Sequence, residues 1–221
     1  MKLMLNAITK FLWGFVLLGA LLFLPAWTLR YFGAWLFLGL LFIPMLIMGI
    51  VLLFKAPALL EKRLNGKEKE KAQKGVVALS GLMFPVGFVV SALDFRFGWS
   101  SVPLWLVTVA SVLFLIGYAM YAEVMRENAY LSRTVEVQEG QQVISTGLYG
   151  VVRHPMYLAT LFMFLPMPLI LGSFWGLIPF ALYPVGIVIR ILNEEKVLTE
   201  ELDGYAEYKT KVRYRLIPFV W

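Results

Sequence analysis

AWLFLGLLFIPMLIMGIVLLF, Ala34 to Phe54, runs twenty-one residues without a charge. About 20 apolar residues are what a helix needs to cross the hydrocarbon core of a bilayer. Five further apolar stretches stand beside it: Phe11–Leu29, Val76–Leu93, Pro103–Ala122, Met156–Leu171 and Phe174–Leu192. The chain as a whole is 60% hydrophobic and 15% charged, with mean hydropathy +0.77. Soluble domains are nearer half apolar and a quarter charged. An integral membrane protein is implied. Lipid offers backbone groups no hydrogen-bond partners, so the spans must be helical. The fold class read here is all-α, a multi-pass transmembrane helical bundle of about six apolar segments. Phe11–Leu29 follows Lys2 and Lys10 as the core of a signal peptide does. No small-x-small cleavage site closes it and further spans follow, so it reads as a retained helix.

The positive charges orient the bundle. With the N-terminus cytoplasmic, eighteen Lys and Arg fall on that side and only Arg30 and Arg96 on the other. This is the asymmetry of the positive-inside rule. It places both termini in the cytoplasm, in what is expected to be a prokaryotic cytoplasmic membrane. It also accounts for the net charge of +6 more simply than nucleic-acid binding would. The chain has no cysteine and one histidine. Disulfides, catalytic thiols and thiolate metal sites are thereby excluded, and a histidine-rich metal centre is disfavoured, so no metal is expected.

Along the chain, a single membrane domain spans 1–221. Residues 1–122 form two transmembrane hairpins, Phe11–Leu29 with Ala34–Phe54 and Val76–Leu93 with Pro103–Ala122. Residues 123–221 form a polar loop, a third hairpin and a C-terminal helix. Lys55–Lys74 reads as a charged helix at the headgroups, with Leu59, Leu60 and Leu64 facing lipid. The loop Glu123–Arg153 is of a length that marks function or disorder, and its aromatic and β-branched residues point to an ordered, functional segment. Val135 and Val137 alternate with polar residues there, which predicts a short extended piece. Thr146-Gly147-Leu148-Tyr149-Gly150 reads as a turn. Met156–Leu171 carries Pro166 and Pro168, and Gly172-Ser173 turns it into Phe174–Leu192, so the last hairpin is expected tight and kinked. Val197, Leu198, Leu202, Tyr205 and Tyr208 at helical spacing predict an amphipathic cytoplasmic helix over Glu194–Lys211.

The chemistry gathers at the two ends of that last hairpin. His154 precedes Pro155, which biases it out of the helix and onto the entrance. The helix N-terminus there offers unpaired N–H groups to a carboxylate or phosphate. Arg153 and His154 also suit plain headgroup anchoring. Some forty residues on, Arg190 precedes Glu194 and Glu195 at the other end of the hairpin, so the two polar clusters meet on one side of the membrane. One carboxylate of the pair suits ribose hydroxyls or an ammonium, and the other suits Arg190 or Arg153. Tyr149, Tyr157, Tyr205 and Tyr208 offer aromatic faces to a cation such as a sulfonium, and equally suit interfacial anchoring.

Taken together, Thr146 through Tyr157 (TGLYGVVRHPMY), Arg190 through Glu195, then Tyr205, Tyr208 and Pro218, resemble the isoprenylcysteine carboxyl methyltransferase family. That family is grouped with the phospholipid methyltransferases. Asn128, Ser132 and Gln138 resemble its loop ahead of the motif. The resemblance covers Asn128 to Trp221. It implies S-adenosylmethionine as methyl donor, held by Gln138, Thr146, Gly147, Tyr149, His154, Pro155, Tyr157 and Glu195. It implies a lipidic or amphiphilic acceptor, such as a prenylcysteine carboxylate. Leu148, Gly150 and Ala159 depart from the family's usual proline, larger residue and glycine. Methyl transfer from a sulfonium is an in-line displacement, and a carboxylate acceptor needs no strong base. Arg190 and Glu194 are therefore read as the catalytic pair, with Arg190 gripping the carboxylate. Two rivals remain. Sterol-type reductases using NADPH share an Arg-His-Pro-x-Tyr segment, though they continue with a glycine and an acidic residue where Leu158-Ala159-Thr160 stands here. A non-enzymatic membrane protein is the other. No charge lies mid-span to mark a transport pathway.

Overall fold

In a computed structural model the chain is described over residues 2–65, 71–131 and 137–221, with side chains at 65, 71–74 and 76–80 left aside. The described residues form helices and turns. Helix α1 is Lys2–Ala26, α2 Phe32–Lys55, α3 Pro57–Asn65, α4 Lys71–Phe97 and α5 Leu104–Glu127. A 3₁₀ turn, Gly147–Gly150, precedes α6 (Pro155–Phe164), α7 (Met167–Ile170), α8 (Leu177–Phe180), α9 (Leu182–Glu201) and α10 (Tyr205–Lys211). Among the described residues four segments are long and apolar enough to cross a membrane: Lys2–Ala26, Phe32–Lys55, Leu104–Glu127 and Leu177–Glu201. The fold is the expected multi-pass helical bundle. One side of α1 and of α2 is exposed outward along its length, with Leu12, Trp13, Val16, Ile43, Ile47 and Phe54 open. Apolar residues facing out along the whole length of a helix are lipid-facing residues.

The helices pack differently from their order in the chain. α1 lies against both α2 and α4, α4 against α8 and α9, and α5 chiefly against α6. The expected hairpin of α4 with α5 does not close, because α5 has a closer partner. A Cβ at Gly117 would stand 2.8 Å from the carbonyl oxygen of Ala159 and 2.9 Å from Met163. Small residues let membrane helices approach backbone to backbone, and Gly117 opposite Ala159 does that for α5 and α6. Ala159 is thus a packing residue, fully buried. The core they share runs through Phe37, Phe88, Phe114, Met163, Ile170 and Phe180.

The last hairpin is kinked as its prolines predict. α6 stops at Phe164, and α7 resumes beyond Pro166. At its tip Ser173 Oγ donates to Asp94 Oδ2 at 2.5 Å, and Ser100 Oγ donates to the same oxygen. That buried carboxylate clasps the tip to the end of α4.

Two further expectations need correction. The leucines of α3 do not face lipid: Leu59 and Leu60 are buried against Leu52, Val124, Met125, Leu131 and Tyr149, with Leu64 partly buried beside them. α3 is therefore a cover over the loop rather than a float. Nor does one helix run from Glu194 to Lys211. α9 continues unbroken from Leu182 through the carboxylates to Glu201, and α10 begins afresh at Tyr205. Leu202, Tyr205, Tyr208 and Val212 pack together against Val137, Val143 and Leu198. The helical spacing marked a buried patch that closes on the loop. The extended piece expected around Val135 lies outside the described residues, apart from Val137.

Candidate functional site

Pro155 opens α6 at its first turn, which leaves His154 as the flanking residue with φ −123° and ψ 61°. Its backbone is fixed from below. The N–H groups of Arg153 and His154 donate to the carbonyls of Tyr214 and Arg215, both at 2.9 Å. The tail after α10 thus lies along the helix entrance like a short strap.

Between strap and hairpin sits Glu195, 4% exposed. Arg153 Nε donates to its Oε1 at 2.6 Å, and His154 Nε2 lies 3.3 Å from the same oxygen. Arg215 Nε donates to Oε2 at 2.9 Å. Arg153 spends its Nη1 on the carbonyls of Val212 and Arg213. A buried carboxylate is costly unless paired and hydrogen-bonded, and here three side chains from two segments meet that need. The Arg153–Glu195 pairing is one the sequence allowed. Arg215 was missed. It lies in a non-periodic tail twenty residues away, and nothing in the pattern connects it to Glu195.

One turn up α9, Arg190 Nε donates to the hydroxyl of Tyr157 at 2.9 Å, and that hydroxyl donates to Glu194 Oε2. Arg190 and Glu194 are brought together on one phenol. The ring of Tyr157 stacks on that of His154, with centroids 5.7 Å apart. Below, Tyr183 Oη donates to Thr160 Oγ1 at 2.7 Å, carrying polar contact further along the seam between α6 and α9.

The facing wall comes from the loop. Asn128 Nδ2 donates to Tyr149 Oη at 2.8 Å, and Tyr208 Oη donates to the Tyr149 carbonyl at 2.7 Å. Burial pushes the Tyr149 hydroxyl up to about 12, which the bond from Asn128 only partly offsets. Burial likewise raises Tyr205 and Tyr208, with Glu195 and Glu194 adding to the effect at Tyr205 and Tyr149 at Tyr208. These phenols remain protonated donors at neutral pH.

Walls and floor enclose an open cleft of about 840 Å³, counting its mouth. Of the residues singled out from sequence, Tyr149, His154, Pro155, Tyr157, Arg190 and Glu194 line it. Four do not. Glu195 lies behind His154. Gln138 braces the loop, its Nε2 donating to the Tyr130 carbonyl and its Oε1 accepting from Lys62 of α3. Thr146 caps the 3₁₀ turn, its carbonyl accepting from the Tyr149 N–H at 3.0 Å. Gly147 has φ +52°, and a Cβ there would stand 2.0 Å from Glu127 Oε1, so this turn requires glycine. The cleft also takes in Gln141, Gln142, Val143 and Ile144, along with Tyr130 and Tyr205. Tyr205 was expected as an aromatic wall; the loop residues, with neither motif nor periodicity, gave no signal. Among the described residues no cluster of His, Asp and Glu is arranged to hold a metal.

Comparison with known proteins bears on the same stretch. Residues 105–204 match the family described as phospholipid methyltransferase. A 92-residue stretch, 40% of the chain, is 33% identical to the mouse (Mus musculus) Delta(14)-sterol reductase. It covers 22% of that protein, so the chain spans about a fifth of the length of this curated relative. The matched segment, residues 105–204, supplies α5, the loop wall and most of the α6–α9 floor of the cleft, so the likeness to the phospholipid methyltransferase family falls on the site itself.

Proposed function

We propose that the chain is an S-adenosylmethionine-dependent methyltransferase whose acceptor is a lipidic or amphiphilic molecule entering the cleft from the bilayer. The observation that carries this reading, beside the family match, is the charge of the cleft. Apart from tyrosines, its described ionisable lining residues are Arg153, His154, Arg190 and Glu194. Arg153 is already spent on Glu195 and two carbonyls. A phosphorylated dinucleotide brings a pyrophosphate and a further phosphate, more negative charge than Arg190 and the α6 N-terminus alone are set to meet. S-adenosylmethionine brings a sulfonium, an ammonium and one carboxylate. Tyrosine faces suit the first. The buried hydroxyl of Tyr205, which lines the cleft without a hydrogen-bond partner among the described residues, fits a polar occupant.

The cofactor supplies an activated methyl group. The chain's work is alignment and the exclusion of water. Tyr149, His154, Pro155 and Tyr157 hold the cofactor directly in this reading. Gln138, Thr146, Gly147 and Glu195 shape the wall behind it. Arg190 orients the acceptor, and its fork suits a carboxylate. Glu194 takes up a proton, through the Tyr157 hydroxyl, where the acceptor carries one. The eighteen-to-two charge asymmetry supports a site on the cytoplasmic side, with both termini there.

A reductase is the second reading, favoured by the likeness to the mouse sterol reductase over 92 residues. Incubating the purified protein with methyl-labelled S-adenosylmethionine and an amphiphile extract separates the two. Methyl transfer puts label into the extractable fraction. Alkali then releases it as methanol if a carboxylate was esterified, and leaves it in place if nitrogen was methylated. No label, together with NADPH-dependent reduction of a sterol-like alkene, defeats the proposal.

A further inference from the structure

Tyr205 is 4% exposed, lines the cleft, and its hydroxyl is one of three buried side-chain polar atoms without a hydrogen-bond partner among the described residues. The other two, Glu127 Oε2 and Asn193 Nδ2, belong to residues outside the cleft lining. Its neighbour Tyr208 offers a contrast at short range. The two rings are 5.6 Å apart, yet the Tyr208 hydroxyl is fully engaged with the Tyr149 carbonyl. Burying a hydroxyl without a partner is unfavourable. A phenol kept in such a position is poised for something that is bound later.

The surroundings narrow what that is. Glu194 and Glu195 lie within electrostatic reach of the Tyr205 hydroxyl, and Arg153 is the cation there. Arg153 is neutralised by Glu195 at 2.6 Å. An anionic acceptor is therefore disfavoured beside Tyr205, and an ammonium has no lone pair to receive its proton. A neutral hydroxyl satisfies both conditions. It accepts from Tyr205 and donates to a carboxylate, and Glu194 on the same cleft has lone pairs beyond the one Tyr157 occupies.

We infer that Tyr205 and Glu194 form a hydroxyl-reading pair that recognises the ribose of the nucleoside cofactor, with Tyr205 as donor and Glu194 as acceptor. This rests on the methyltransferase reading and assigns a specificity-determining residue to it. Without its hydroxyl, Tyr205 is only a wall. With it, the cleft distinguishes a ribonucleoside from its deoxy counterpart.

The test uses the full chain in detergent, with Tyr205→Phe and Tyr208→Phe variants. Affinity is measured for S-adenosylhomocysteine and for its 2′-deoxy and 3′-deoxy analogues. The wild type should bind the ribose form about tenfold more tightly than at least one deoxy analogue, the size of one net hydrogen bond. Tyr205→Phe should weaken the ribose form by a similar factor, leave that deoxy analogue unchanged and so erase the discrimination. Without ligand, Tyr205→Phe should melt at or above the wild-type temperature, because no protein partner is lost. Tyr208→Phe should melt below it. Three results overturn the inference while sparing the methyltransferase reading: equal affinity of Tyr205→Phe and wild type for the ribose form, no discrimination by the wild type, or a lowered melting temperature for free Tyr205→Phe. Failure of the wild type to bind S-adenosylhomocysteine at all defeats the reading itself, and the inference with it.

Discussion

Replacing Glu195 by glutamine tests the centre of the structure. The side chains of Arg153 and Glu195 are 6% and 5% exposed, so solvent does little to screen their pairing. Removing one partner of a buried ion pair costs roughly 3–5 kcal/mol, because the other charge is left uncompensated. Glutamine keeps one carbonyl oxygen, and Arg153 keeps the carbonyls of Val212 and Arg213. The lower end, about 3 kcal/mol, is therefore expected. For a domain of this size that corresponds to a fall of about 6–12 °C in melting temperature. The Arg215 anchor loosens at the same time, so the tail should become more open to C-terminal proteolysis. Scanning fluorimetry of the detergent-solubilised protein reads the first effect and timed carboxypeptidase digestion the second. The control is Arg126→Gln, which breaks an exposed pair with Glu123 at 2.6 Å and should leave melting unchanged. A shift below about 2 °C for Glu195→Gln would refute the reasoning, since the hub would then be no more than a surface bridge.

Other consequences can be checked separately. Gly147→Ala puts a methyl group onto the Glu127 carboxylate and holds alanine at φ +52°. It should cost about 1–3 kcal/mol and weaken S-adenosylhomocysteine binding by calorimetry through displacement of Tyr149. Arg190→Lys keeps the charge but loses the Nε bond to Tyr157 and the guanidinium fork. Methyl transfer should fall at least tenfold with cofactor affinity little changed, and a parallel loss of affinity would move Arg190 into the donor pocket. Orientation is testable by single cysteines in this cysteine-free chain. Ser173 is too buried for labelling, so exposed Ser101 and Ser145 are the positions to use. An impermeant thiol reagent should reach Ser101→Cys from outside and Ser145→Cys only after permeabilisation.

The sequence carried the spans well, because a run such as Ala34–Phe54 has no alternative environment. It also brought Arg153, His154 and Glu195 together, because an apolar hairpin must return its ends to the same side. It was weaker on what happens beyond the membrane. Glu194 and Glu195 read as the start of a separate cytoplasmic helix, since the apolar run of the span ends at Leu192. α9 continues past them because Arg215, far along the chain, helps to neutralise Glu195. The leucines of α3 read as lipid-facing because their burial partners, Val124 and Tyr149 among them, come from later segments. Helix neighbours were likewise set by a detail with no pattern, the small-residue contact between Gly117 and Ala159. Of the cleft, the tyrosines and the charged residues were visible as residue types. The role of the loop at Gln141–Ile144 was not, because it depends on where the chain folds back.

The most direct measurement is calorimetric titration of the purified protein with S-adenosylmethionine, S-adenosylhomocysteine and NADPH, on wild type and His154→Ala. Saturable binding of both adenosyl compounds, no binding of NADPH, and a loss of about 1–3 kcal/mol in His154→Ala is the predicted result. Saturable binding of NADPH with none of S-adenosylmethionine would contradict the account.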